Sequence, residues 1–376
     1  MLRVRAADSA GNQSDWSSVL VRFGGTREAP AGITRTLNWA PDSRLPPRSP
    51  NCLTGACWWP KQSGAVRVVQ SDGTLLGPPM LSVPVESFSD LGLLGVVAHP
   101  QFASNGFLYA YYTTSQGGRH NRLSRFTVSG NAAGGEVVLA DLPVVSSSDH
   151  GGGALRFGSD GKLYVGVGDA AVPSNAPNLS TPLGKLLRFN DDGSIPSDNP
   201  FCTTQGDLAC AVSAYGLRNP FTMAVQPGTG RIHINDVGSD TWEEIDVAVR
   251  GANYGWPASE GPSGVTGGIT GPLFTYKHTV AAPPGSGPGG FFVGSSVIGG
   301  DFHPDSGRFP APWRGGYFFT DLTAKFIGFV DLKNDNAVYS LGTVPGVPEG
   351  PVGMLVARDG ALVVLQRHNI VRFTAP

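Results

Sequence analysis

Residues 149–169 read DHGGGALRFGSDGKLYVGVGD, and within them His150 and Asp169 stand nineteen positions apart (169 − 150 = 19). A neutral imidazole is a general base near neutral pH, and a carboxylate bonded to it fixes its tautomer and raises its basicity. The three glycines after His150 allow close backbone approach, and the apolar run Leu163 to Val167 delivers Asp169 to a strand end. The same residues also read as a turn histidine and an unrelated aspartate closing a VGD turn. A second set lies in YGLRNPF (215–221), where Arg218 and Asn219 precede a proline. A guanidinium and an amide on a rigid loop suit a carboxylate, quinone or alkoxide oxygen. A third set, Asp236, Glu243, Glu244 and Asp246, surrounds the Val237-Gly238-Ser239 turn. Carboxylates and main-chain carbonyls together suit a hard cation such as calcium, and the same cluster reads equally as a solvated strand edge.

These groups need a scaffold. A turn with Asp-Gly, Asn-Gly or a similar pair followed by an apolar strand recurs six times, in SGAVRVVQSDG (63–73), NGFLYAYYT (105–113), DGKLYVGVGD (160–169), TGRIHINDVG (229–238), RGGYFFTDL (314–322) and DGALVVLQRH (359–368). The strands are β-branched and aromatic and are bounded by turn residues. With 53 Gly and 31 Pro, the chain is broken too often for long helices. The expected fold is all-β, a six-bladed β-propeller with long top-face loops, the longest at 170–215 and 257–300.

The propeller is expected over 60–376, with 24–59 as a linker and irregular lead-in. Residues 1–23 resemble the last two strands of a fibronectin type III domain, a remnant of a domain upstream. Cys52 with Cys57 and Cys202 with Cys210 each close a short loop, read as two disulfides of an oxidising compartment, with a metal site as the weaker competitor. The expected location is secreted, periplasmic or cell-surface, although no signal sequence is visible. A net charge of −2 carries no basic footprint for nucleic acid. No apolar run reaches the length of a membrane span, so the expected partner is a small molecule.

Read in order, LGLLGVVAHPQF (91–102), NRLSRFTVSGN (121–131), the His150–Asp169 stretch, LGKLLRFNDDGSIPSDNPF (183–201), YGLRNPF, and DVGSDTWEEIDV (236–247) with GANYGWP (251–257) resemble the glucose/sorbosone dehydrogenase family. The resemblance implies a six-bladed propeller that binds pyrroloquinoline quinone (PQQ) and calcium and oxidises the anomeric carbon of an aldose sugar, passing electrons to an external acceptor. It places the base at His150, its holder at Asp169, and cofactor contacts at Arg218 and Asn219. It matches the calcium at the cofactor to main-chain carbonyls of Gly238 and Ser239, and a second calcium to Glu244 and the Tyr254 carbonyl.

The chain also departs from the family pattern. Asp90 stands where a glutamine is expected, two residues before GLLG. An expected lysine falls at Thr323, with Lys325 as the nearest substitute, and two expected arginines fall near Gly350 and Val352. Fewer cationic partners for a tricarboxylate cofactor leave a second reading, a non-catalytic, calcium-stabilised propeller that binds a glycan or a protein. These departures resemble the branch of the family that holds the hedgehog-interacting propellers.

Overall fold

A computed structural model describes residues 2–4, 6–8, 17–19, 52–53, 56–70, 74–143, 145–202, 207–278, 292–306, 309–343, 350–357, 360–366 and 369–373. The strands of the described residues form six four-stranded sheets and one two-stranded pair, the six-bladed β-propeller expected from the repeats. Among the described residues the only α-helix is the single turn Phe102–Asn105. Among the described residues no helix is long and apolar enough to cross a membrane.

The chain divides into two compact units. The first, Pro60–Arg67 with Pro78–Thr275, holds the candidate site. One of its sheets runs Leu155–Phe157, Leu163–Val167, Lys185–Phe189, Val212–Tyr215. Val165 pairs with Leu155 on one side and Leu187 on the other. Both central strands are buried along their whole length, as expected of strands covered on two faces. Leu123, Leu155, Leu163, Val165, Leu187 and Phe189 share one apolar cluster. Each such side chain contributes roughly 1.5–3 kcal/mol on burial.

The second unit is Met1–Trp59, Val68–Gly77 and Tyr276–Pro376. Its core gathers Trp313, Phe318, Ile327, Phe329, Leu362 and Val364. One of its sheets takes its outermost strand, Ala6–Asp8, from far away in sequence, with Ala6 opposite Val371. The proposed domain remnant at 1–23 therefore lends three residues to this sheet.

Two expectations change in detail. The stretch 170–215 is not one loop, because Lys185–Phe189 is a central strand within it. Charged Lys185 and Arg188 disguise that strand in the sequence, yet both side chains are buried with polar partners. Likewise 257–300 contains the strand Phe274–Lys277. The disulfide Cys202–Cys210 is formed. Cys52 and Cys57 are register partners across a strand pair, but their side chains lie outside the described residues.

Candidate active site

His150 and Asp169 meet. His150 Nδ1 lies 2.6 Å from Asp169 Oδ1, and the aspartate is fully buried. Two more donors hold that carboxylate: the Ala171 amide at 2.8 Å on Oδ1 and Trp256 Nε1 at 2.8 Å on Oδ2. With acceptors engaged on both oxygens, Asp169 is fixed in place and favours the His150 tautomer whose Nδ1 donates to it. Nε2 has no partner among the described residues, and the imidazole keeps 17% of its surface exposed. That is the tautomer and the exposure a base requires.

The backbone makes this contact possible. His150, Ala170 and Ala171 are left-handed, with φ of 58°, 58° and 57°. Such backbone is costly for residues other than glycine and collects at functional sites. A Cβ on Gly168 would lie 2.0 Å from the His150 carbonyl oxygen, so only glycine lets these two segments touch.

Arg218 and Asn219 belong to the same assembly. The Asp169 amide donates to the Arg218 carbonyl at 2.8 Å, and Asn219 Oδ1 accepts the Gly152 amide at 3.0 Å. The amides of Arg218 and Asn219 both donate to Asp236, at 2.9 and 2.6 Å. Burial pushes the Asp236 carboxyl up to about 7, even though those two amides favour its ionised form. The Arg218 guanidinium lies 5.5 Å from the Trp256 ring centroid, and its Nη1 donates to the Val237 and Gly238 carbonyls at 3.0 and 2.5 Å. Its Nε is buried without a partner among the described residues. Asp90 reaches the site through Oδ2, which accepts the His150 amide at 3.2 Å.

The remaining predicted residues are placed as follows. The Gly238 carbonyl is engaged by Arg218, and the Ser239 amide donates to Glu260 at 2.8 Å. Glu244 is buried and accepts the Gly261 amide. Burial first, then the charges of Asp246 and Asp236, hold the Glu244 carboxyl well above its usual range. The Tyr254 hydroxyl donates to the Val247 carbonyl at 2.7 Å. Among the described residues no three or more His, Cys, Asp or Glu side chains are grouped to hold a metal. Lys325 falls in the other unit, left-handed at φ 60°, with its amide on the Asp321 carbonyl at 2.9 Å.

A family model for glucose/sorbosone dehydrogenase matches residues 54–369. The chain belongs to the glucose/sorbosone dehydrogenase family. The aldose sugar dehydrogenase YliI of Escherichia coli (strain K12) is 30% identical over 233 residues, 56% of this chain and 61% of that relative. The hedgehog-interacting protein of Mus musculus is 29% identical over 203 residues, 46% of this chain and 29% of its own length. This chain thus spans less than two thirds of either relative. The PQQ-bound aldose sugar dehydrogenase of Streptomyces coelicolor shares the fold, with a TM-score of 0.67 at 21% identity over 90% of this chain and 100% of that one.

In this member of the glucose/sorbosone dehydrogenase family, three residues that spacing did not single out support the site. Trp256 lies 87 positions from the aspartate it binds. Glu260 gathers the amides of the turn after Gly238. Lys185, wholly buried, donates to the carbonyls of Asn175, Ala176 and Leu183 at 2.7, 3.0 and 2.6 Å. Asn175 Nδ2 in turn donates to the Asp169 carbonyl at 3.0 Å. Burial pushes the Lys185 ammonium down to about 7, and the charge of Asp169 opposes a larger fall. The clue in the sequence was a lysine inside an apolar run, which needs buried acceptors. Lys185→Met, similar in length and apolar, strands three buried carbonyls. It is expected to cost roughly 3–5 kcal/mol, read as a lower urea midpoint at unchanged slope.

Proposed function

We propose that this chain is a quinoprotein sugar dehydrogenase that oxidises the anomeric carbon of an aldose to the lactone. The observation that carries the reading is the 2.6 Å contact of His150 with buried Asp169, which leaves Nε2 free. Aldose oxidation removes a hydride from C1 and a proton from the C1 hydroxyl. His150 Nε2 receives that proton while Asp169 holds Nδ1 and the developing imidazolium. Trp256 and the Ala171 amide hold Asp169 in place.

The residues present fit the cofactors that the family relationship suggests. PQQ carries quinone and carboxylate oxygens, and the orphaned Nε of Arg218 is a buried donor in want of such an acceptor. Arg218 and Asn219 would hold the cofactor. Both Asp246 oxygens are buried without partners among the described residues, and burial and Asp236 hold this carboxyl well above its usual range. With Glu244 beside it in sequence, this oxygen-only, acidic donor set suits calcium. The Ser239 carbonyl would hold one ion, and Glu244 with the Tyr254 carbonyl another; the Gly238 carbonyl, expected beside Ser239, is taken by Arg218 Nη1. When bound, PQQ supplies the hydride acceptor and calcium polarises its oxygens. Arg218 contributes a fixed positive charge to the same end. The Cys202–Cys210 bridge supports export to an oxidising compartment, where an external acceptor would take the electrons.

Asp90 favours a second reading, a non-catalytic calcium-stabilised propeller that binds a glycan or a protein. Its carboxylate sits on the His150 amide and repels a tricarboxylate ligand. One experiment separates the two. The apoprotein is titrated with PQQ and calcium, then given an aldose panel and a reducible dye. The dehydrogenase reading expects binding at micromolar PQQ and sugar-dependent dye reduction. Absence of binding at that level rejects it in favour of the binding module.

A further inference from the structure

Four consecutive main-chain amides, those of Ser239, Asp240, Thr241 and Trp242, converge on a single oxygen, Glu260 Oε1, at 2.8, 2.9, 3.1 and 3.3 Å. A concave run of N–H groups of this kind is an anion-binding nest. Here the occupant is the protein's own carboxylate, reached from eighteen residues beyond the turn (260 − 242 = 18). At the entrance of the turn, the Val237 and Gly238 carbonyls are the two that accept from Arg218 Nη1. The turn is tight, since a Cβ on Gly238 would lie 1.6 Å from the Trp242 carbonyl oxygen. The Gly238 amide adds one more tie, to Glu243 Oε2 at 3.3 Å.

The guanidinium of Arg218 is therefore set by two supports, the turn carbonyls and the Trp256 ring. Only the first depends on a charged side chain, Glu260. We propose that Glu260 is a positioning residue for Arg218: its carboxylate fills the nest, fixes the 237–242 turn, and through the Val237 and Gly238 carbonyls aims the guanidinium. The inference rests on the reading of Arg218 as the group that meets the oxygens of PQQ. Glu260 itself touches neither cofactor nor sugar.

An empty nest of the right shape accepts a small carboxylate from solution, and Glu260 is only partly buried, so acetate has a route to it. Glu260→Ala apoprotein is compared with wild type for PQQ affinity, by tryptophan fluorescence, with and without acetate or acetamide. Side-chain NMR signals of Arg218 and amide signals of 239–242 are followed in parallel. The expected result is at least tenfold weaker PQQ binding in E260A. Saturating acetate is expected to restore most of it and acetamide none, the 239–242 amides and the Arg218 signals returning together. Wild-type affinity in E260A overturns the proposal. So does acetate that restores the amides but not Arg218 or the affinity. If E260A does not fold, E260Q carries the test: it keeps an oxygen for the amides but no charge, and PQQ affinity within twofold of wild type overturns the proposal. If wild type binds no PQQ, the functional reading fails on its own, and the Arg218 signals alone decide the role of Glu260.

Discussion

His150→Asn lowers sugar-dependent turnover of the PQQ- and calcium-loaded protein by about 10²- to 10⁴-fold, the usual worth of a general base, and leaves the fold in place. Asparagine is chosen because position 150 is left-handed, at φ 58°, a conformation asparagine tolerates better than most residues. The imidazole is partly exposed and its one side-chain partner is Asp169, so little packing is lost. Dye reduction gives the turnover, and circular dichroism and PQQ affinity show whether the scaffold survives. Turnover within a few-fold of wild type would remove His150 from the role of base.

Asp169→Asn is the second large effect. The substitution keeps the shape but exchanges one acceptor oxygen for an amide that only donates. In the native arrangement Oδ1 receives His150 Nδ1 and the Ala171 amide, and Oδ2 receives Trp256 Nε1. Either rotamer of asparagine therefore sets a donor against a donor. If the amide faces His150, the imidazole must turn its other tautomer inward and put its proton on Nε2, which can then no longer act as base. The expected loss is about 10²- to 10⁴-fold in turnover. Leaving a fully buried polar group unpaired costs a further 1–3 kcal/mol or so of stability. Kinetics on the loaded variant and a urea transition measure the two separately. A variant with native turnover would show that Asp169 does not orient the base.

The six turn–strand units were legible because a strand boundary needs only local chemistry, an Asp-Gly or Asn-Gly turn and an apolar run. In each of the six sheets the recognised strand is one of the two central ones. His150 and Asp169 were legible for a related reason: both lie on one short stretch whose glycines permit the contact. Lys185–Phe189 was missed as a strand because its charged residues break the apolar pattern, their partners being supplied by the Asn175, Ala176 and Leu183 carbonyls and by Asp198. Trp256 and Glu260 were beyond reach, since nothing in GANYGWPASEG says which aspartate or which turn they meet. The acidic residues near Gly238 look alike in sequence but differ in the partners they find. Asp236 binds two amides, Glu260 binds four, and both oxygens of Asp246 stay unpaired among the described residues.

The strand Ala6–Asp8 and its partner Asn369–Phe373 are separated by 361 positions (369 − 8 = 361). At ribosomal speeds of about 5–20 residues per second, roughly 20–70 s pass between the synthesis of the one and of the other. The sheet they share is thus a clock for the nascent chain: its outer strand is made early and left without this partner while the rest is built. Vectorial synthesis delays that pairing, the last of this sheet to become possible, until residue 369 has emerged.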